Sequence, residues 1–340
     1  MTGDDRRLGK IDRELFEAVI APRLGADRDD VALGPSHGVD FGVVDLGDRL
    51  AVIATDPISI LPELGFERAG RLALDIVLAD VAVSGIAPTH VAVNLTLPPA
   101  MTDDELAATW RGLAGYAEQL GVAVVAGHTA RYAGIDTSWV GGATAFGIGD
   151  PSRLVRPDGA RPGDAVVVST GPAAEVAGLA AHRYAEQLDL APEALAAARD
   201  RVDDIAVVPD ALAAAGAGDV SAVHDATEGG LVGALAEMAT GAGVGFEIDR
   251  ARVPVQPGVE AVCAAIDVDP WAVTSAGTLV VTVAPGDADA VVGALQDHGT
   301  PAAVCGDVVD GGGVTLDGER VEPPEQDPSW AAFAALDERA

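Results

Sequence analysis

The segment Ala51–Pro88 constrains this chain most. It reads AVIATDP, then a connector, then RLALDIVLADVAVSGIAP. The β-branched run that ends in Asp56-Pro57 has the pattern of a buried strand entering a polar turn. The second part has helix length and is apolar on nearly every face; it stops at Gly85, with Pro88 just beyond. A helix apolar all round belongs inside a protein. Yet this one carries Asp75 and Asp80. A buried carboxylate is costly unless it is paired or bound to a cation. Two readings follow for Asp80. Either it faces a metal-nucleotide site together with Asp56, or it hydrogen-bonds a neighbouring turn.

The rest of the chain repeats a plan of apolar strands alternating with helices. Residues 11–24 have helical periodicity, with Ile11, Leu15, Val19 and Leu24 near one face. Strands are expected at 40–45 and 49–55, preceded by the loop Gly34–Asp40, whose edge leaves the Asp40 carboxylate free to point into a cleft. Thr89–Leu97 reads as a strand. Thr102-Asp-Asp-Glu105 is a capping box opening a helix whose buried stripe is Leu106, Trp110, Leu113, Ala117 and Leu120. A strand over 122–126 then runs into Gly127-His128-Thr129. A strand emptying into such residues offers backbone N–H groups that suit a phosphate; a core histidine with a satisfied ring is the alternative. Residues 139–148 close this half as a further strand.

The Pro-, Gly- and Arg-rich stretch Arg153–Asp164 marks a boundary. The expected domains are 1–152, 153–322 and an acidic, loose arm, 323–340, with one short helix around Trp330. In the second half a strand at Asp219–Val223 leads into His224-Asp225-Ala226-Thr227-Glu228-Gly229-Gly230, followed by a helix. The alanine-rich stretch 192–215 reads as helix, broken or kinked near Pro209. Neither GxGxxG nor GxxxxGK[ST] follows any strand, so a phosphate site would rely on metal ions, backbone N–H groups and arginine. Cys263 and Cys305 have apolar flanks and form no CxxC pair, which argues against a cysteine-built zinc or redox site.

Acidic residues number 53 and basic residues 21, for a formal charge of -32; Lys10 is the sole lysine. Such a surface repels phosphate backbones, so no nucleic acid is expected as a partner. No run is long enough to span a bilayer and the N-terminus lacks a signal-peptide core, so the expected location is cytoplasmic, with no membrane association. A halophilic source accounts for the charge, because salt screens self-repulsion; binding of a basic partner is the alternative.

Taken in order, Gly-x-Asp40, Thr-Asp56-Pro, Ala-Asp80-Val-Ala-x-x-Gly-x-x-Pro88, Gly-His-Thr129 and His-Asp225-Ala-Thr-x-Gly-Gly230 resemble the aminoimidazole ribonucleotide (AIR) synthase, or PurM-like, superfamily. That superfamily includes AIR synthase, thiamine-monophosphate kinase, selenophosphate synthase and HypE. The second half is most similar to HypE through HDATEGGLVGAL, EIDRARVPV and DPWAVTSAGTLVV. The archaeal AIR-synthase-related, HypE-like group is the nearest match. The resemblance implies a two-domain α/β (α+β) fold and a homodimer that pairs the sheets of the first domains. It implies ATP at the dimer cleft, with Asp40, Asp56 and Asp80 holding Mg2+ and the triphosphate. Gly127, His128 and Thr129 would contact phosphate, and Asp225 would reach a metal from the second domain. Asp80 and His128 are the implied catalytic pair. The implied chemistry is ATP-dependent activation or phosphorylation of a substrate oxygen, the acceptor being a small molecule or a protein.

Departures from the family pattern are Val39, Ala79 and Ala130, where polar residues are usual, and Asp75, where HypE-like proteins tend to have histidine. They motivate a second reading, a catalytically weakened nucleotide-binding regulatory or assembly protein. A thiamine-monophosphate-kinase-like enzyme is a third. HypE ends in a cysteine and this sequence ends Leu-Asp-Glu-Arg-Ala340, so the HypE route through a C-terminal thiol is not expected. No reactive cysteine stands near the N-terminus, as selenophosphate synthase usually needs. His37 is read as near Asp40 and within reach of a phosphate, His224 as orienting Asp225, and Lys10 as part of an arm over the nucleotide or solvated. His90, His182 and His298 are read as structural or surface residues.

If the charge is an adaptation to salt, the unfolding midpoint should rise steadily from low to molar KCl, as the Debye length shrinks to about 3 Å at 1 M. A midpoint indifferent to salt would contradict that origin.

Overall fold

The computed structural model describes residues 9, 11, 13–36, 38–136 and 139–339. Lys10 and His37 lie outside the described residues. Among those described, the strands form two sheets. The first holds β1 Val31–Leu33, β2 Gly42–Asp45, β3 Leu50–Pro57, β4 Pro88–Leu97, β5 Ala123–Arg131 and β6 Gly141–Gly149, in the order β1-β2-β3-β6-β4-β5. The second holds β7 Ala165–Ser169, β8 Val220–Asp225, β9 Gly245–Ile248, β10 Leu279–Val283, β11 Ala302–Val309, β12 Gly313–Leu316 and β13 Glu319–Val321, in the order β13-β12-β9-β11-β7-β10-β8. The α/β character expected from the sequence is present, and no described helix is long and apolar enough to cross a membrane.

The apolar helix expected after Asp56 is α1, Phe66–Ala82, and it is the hub of the molecule. It packs on β3, on β6 and on α2, Asp103–Leu120. It also packs on α3, Val208–Ala215, from the second half. That explains its composition: there is sheet on one side, helices on the others, and little face left for water. One apolar core runs through both halves and joins Val77 and Leu78 to Val208, Ala211, Val281 and Leu295. The second sheet is covered on both faces. Ala165 and Val167 of β7 face this shared core, whereas Val166 and Val168 face a second core with α4, Gly230–Ala242. Strands buried on both sides must read as continuous apolar runs, which is why AVVV and LVVTV show no alternation.

α1 and α2 cross at backbone contact. A Cβ on Gly70 would stand 2.1 Å from the Thr109 carbonyl oxygen, and one on Gly112 would stand 1.8 Å from that of Glu67. This approach turns Thr109, Leu113, Tyr116 and Ala117 inward. Trp110, expected in the buried stripe, is instead 37% exposed. Within the interface Asp75 is buried, and it accepts hydrogen bonds from the Tyr116 hydroxyl and from the Val207 N–H. Burial pushes its carboxyl up to about 6 despite those donors.

Three other expectations are corrected. Residues 11–24 do not make one packed helix. They make a single helical turn at Arg13–Leu15, a wider turn at Phe16–Ile20 and a tight one at Ala21–Arg23, and Ile11, Leu15, Val19 and Leu24 are all exposed. The break expected near Pro209 in the helical stretch 192–215 falls earlier, at the tighter turn Asp200–Ile205 between the helices Pro192–Arg199 and α3, and Pro209 stands in the first turn of α3. The C-terminal segment is docked rather than loose. Its helix, Pro328–Asp337, is led in by the buried Asp327, which accepts from the Gly229 N–H at 3.0 Å and caps the helix through the Ser329 N–H. Trp330 stacks on Trp139, and Asp337 accepts from the Tyr184 hydroxyl at 2.8 Å.

Gly112→Ala should lower stability by about 1–3 kcal/mol in urea unfolding, the usual cost of overpacking. Gly115→Ala on the same helix, where an added Cβ meets nothing within 4 Å, should be neutral or gain about 0.5–1 kcal/mol. Equal effects at the two positions would mean that the crossing is looser than described.

Candidate functional site

The site forms where the C-terminal end of α1 meets the ends of β3 and β8. Strand periodicity brings Asp56 there. Leu50, Val52 and Ala54 of β3 point into the core under α1, and a period of two puts Asp56 on that same face. Asp80, in the last turn of α1, is 7% exposed. Asp225 ends β8 and is buried. Asp40 arrives from the opposite direction, on the loop before β2, and is half-buried. Oxygens of Asp40, Asp80 and Asp225 all lie within 4.8 Å of one another. Asp56 joins them through a hydrogen bond with Asp80. Asp80 therefore stands beside Asp56 and the other two aspartates, not against a neighbouring turn.

Asp80 is pushed far above the ordinary carboxylate range. Burial is the main cause, followed by the charges of Asp56, Asp225 and Asp40 and the hydrogen bond with Asp56. Two unit charges about 5 Å apart repel by roughly 3 kcal/mol at an effective dielectric of about 20. Three or four ionised carboxylates in this volume need positive charge to balance them.

Some of it is built in. His224, 2% exposed, precedes Asp225 and so lies on the opposite face of β8. Its Nε2 lies 2.9 Å from Glu237 Oε2, and its Nδ1 lies 3.6 Å from Asp225 Oδ1 and 4.0 Å from Asp40 Oδ2. Burial alone would lower its pKa. Hydrogen bonds to Asp225 and Glu237 and the attraction of Glu237 and Asp40 outweigh that and raise it to about 10. His224 is thus an imidazolium among carboxylates, which is a stronger role than orienting Asp225 alone.

Sequence reasoning missed Glu237. The signal was there: it is the one ionisable side chain in GLVGALAEMATGA, the sequence of α4. An acid in an otherwise apolar buried helix needs a partner for the same reason that Asp80 does.

Gly127, His128 and Thr129 do not form a turn. They lie inside β5, on the exposed edge of the first sheet, and His128 Nε2 sits 3.1 Å from the Tyr132 hydroxyl. The register runs Asp56–Ala143–Val93–Gly127 across four strands. That is three strand spacings, or about 14 Å. Within one chain these residues are therefore apart from the carboxylates. No turn forms there because Ala130 and Arg131 continue the parallel ladder with β4. Cys263 and Cys305 are buried free thiols, pushed up to about 12 by burial, in line with their apolar flanks.

The donor set is all oxygen apart from the paired His224. Clustered carboxylates suit a hard divalent cation such as Mg2+. The oxygens of Asp40, Asp80 and Asp225 are close enough to share one.

Comparison with known proteins gives the family and the fold. Residues 38–149 match the family described as AIR synthase related protein, N-terminal domain, and residues 161–319 match its C-terminal domain. Carbamoyl dehydratase HypE of Escherichia coli (strain K12) is 31% identical over 310 residues, covering 89% of this chain and 87% of that protein. Selenide, water dikinase of Citrifermentans bemidjiense is 30% identical over 329 residues, covering 88% and 92%. A crystal structure of E. coli HypE superposes with a TM-score of 0.73 at 28% identity, covering 92% of this chain and 96% of that one. The crystal structure of hydrogenase maturation protein HypE in complex with ATP shares the fold, with a TM-score of 0.65 at 22% identity over 94% of this chain and 97% of that one.

At neutral pH Asp80→Asn should raise the unfolding temperature in the presence of a chelator, because a neutral amide bears no cost of either ionising or taking up a proton in this cluster and keeps a donor for Asp56. The same change should abolish the rise in unfolding temperature that Mg2+ gives the wild type. A D80N variant that is less stable without metal, or that still responds fully to Mg2+, would contradict the cluster as described.

Proposed function

The chain belongs to the AIR synthase related (PurM-like) family, and we propose that it is an ATP-dependent enzyme which uses magnesium to activate or phosphorylate an oxygen of its acceptor. One observation carries this reading. Carboxylates from both halves converge on one point, Asp40, Asp56 and Asp80 from the first and Asp225 from the second. A chain with one lysine and no glycine-rich phosphate loop has to hold a triphosphate through metal ions, backbone donors and arginine. The relatives support the reading: one is a dikinase, and one HypE structure contains ATP.

In this proposal Asp40, Asp80 and Asp225 hold the cation, with Asp56 completing the shell. Bound there, Mg2+ would neutralise phosphate charge during transfer. The chain's own residues supply position. α1 fixes Asp80 rigidly because that helix is packed on sheet and on two helices. Asp225 is fixed by the ladder that pairs it with Leu279. His224, held by Glu237, offsets part of the acidic charge and keeps the site from depending wholly on metal.

A homodimer fits the same reading. β5 is a sheet edge with Val124 39% and Val125 56% exposed, and Tyr132 is 46% exposed. Such an edge invites a second strand. A partner chain on it would give His128 and Thr129 a route to a nucleotide that they lack within one chain. A nucleotide-binding assembly protein is the second reading. It is favoured by Ala79 buried in the apolar core and Val39 packed against it, where the family pattern has polar residues.

With Mg2+ and ATP the protein should release ADP, and chelation should stop it. Asp225→Asn should cut turnover by about a hundredfold or more, since metal-borne charge stabilisation supplies several kcal/mol. Saturable ATP binding with no turnover on any acceptor would reject the enzyme reading in favour of the assembly protein. Unchanged turnover in the D225N variant would reject the aspartate cluster as the seat of that activity.

A further inference from the structure

Arg71, in the second turn of α1, faces a cavity of about 570 Å3. Nine residues separate it from Asp80, or about 13 Å along the helix axis. The cavity opens on the seam between the halves. Arg71 and Tyr116 line it from α1 and α2, and Thr170, Asp210, His298 and Thr300 line it from the second half. Its size is that of a small-molecule site.

The Arg71 guanidinium lies over the Tyr116 ring, 5.2 Å from its centroid. Its Nε is buried and has no hydrogen-bond partner. Asp75, four residues on, is the natural mate on a helix, but its oxygens are taken by Tyr116 and Val207. The other acids on the cavity wall each face a cation or a hydroxyl, although Oδ2 of Asp204, like Nε of Arg71, makes no hydrogen bond. Asp203 meets Arg68 at 2.9 Å, Asp204 meets Arg201 at 2.7 Å, and Asp210 meets His298 at 2.9 Å and Thr300 at 2.5 Å. Among the described residues no carboxylate lies within salt-bridge distance of Arg71, in a chain where acids outnumber bases 53 to 21. A buried donor left unpaired is costly, and an anionic ligand would satisfy it.

Two further features mark the wall as built. Asp210, 7% exposed, holds Nδ1 of His298 and leaves Nε2 to meet a ligand. Thr170 has φ +57°, a conformation that a β-branched residue rarely adopts. It is held there by its N–H to the Pro301 carbonyl and by the Gln256 amide donating to its own carbonyl, each at 2.7 Å. Strain of this kind persists where the surroundings enforce it, and it clusters at ligand sites.

We propose that this cavity binds a small organic anion, with its carboxylate or phosphate group on Arg71 and its polar body on His298. The planar fork of a guanidinium suits either oxyanion. The site is separate from the carboxylate cluster and does not depend on ATP.

The test is calorimetric titration of the full chain, freed of metal and held at constant ionic strength, with inorganic phosphate and separately with succinate. At least one should bind saturably. Arg71→Gln and His298→Ala should each weaken it, the former about tenfold or more, while Asp225→Asn should leave it unchanged. Preference for phosphate or for succinate identifies the oxyanion. Saturable binding by neither anion overturns the proposal. So does equal binding by the wild type and a folded R71Q variant, or loss of binding in the D225N variant.

Discussion

Mutual repulsion among buried carboxylates at the end of α1 is the constraint on which this structure depends. Folding gains little from bringing Asp80 beside Asp56, Asp225 and Asp40, and burial drives its carboxyl far from the ordinary range. The arrangement persists because everything around it is over-determined. α1 is enclosed by β3, β6, α2 and α3, so Asp80 cannot swing away. Asp56 cannot leave the face it shares with Val52 and Ala54 without slipping the register of β3 by a residue, which would expose that core. Local strain of this kind, supported elsewhere, is the ordinary signature of a binding site.

The two halves also meet through this helix. One apolar core contains α1, the inner face of the first sheet, α3 and one face of the second sheet. The halves are therefore not separate bodies on a tether. Asp225 can serve a site otherwise made by the first half because β8 is held against it through that core. The seam carries the carboxylate cluster near one end of α1 and the Arg71 cavity near the other. The docked C-terminal helix spans the molecule at a third place, with Asp327 on the start of α4 and Trp330 on Trp139.

Much of this was legible in the sequence. A helix apolar on all faces had to be central, and a carboxylate buried in it, Asp80, needed either a cation shared with other acids or a hydrogen-bond partner. The motif order Asp40, Asp56, Asp80, Asp225 was enough to expect a common site. What escaped the reading has physical causes. Glycine crossings are invisible to periodicity, so the contact of Gly70 with Thr109 rotated α2 and turned Trp110 outward. The ladder with β4 carried β5 through Gly127-His128-Thr129, and only cross-strand pairing decides where a strand ends. Composition marked the acidic tail as loose, although one buried aspartate and a stacked tryptophan are enough to dock it. Glu237 was overlooked because its partner, His224, is adjacent only in space.

The central claim is that these four aspartates form a single divalent-cation site made by both halves. Anomalous diffraction from crystals of the protein grown with Mn2+ in place of Mg2+ tests it most directly. The account predicts a strong anomalous peak within coordinating distance of Asp80 and Asp225, together with Asp40 or Asp56. A peak elsewhere, or none at saturating Mn2+ and nucleotide, would contradict it.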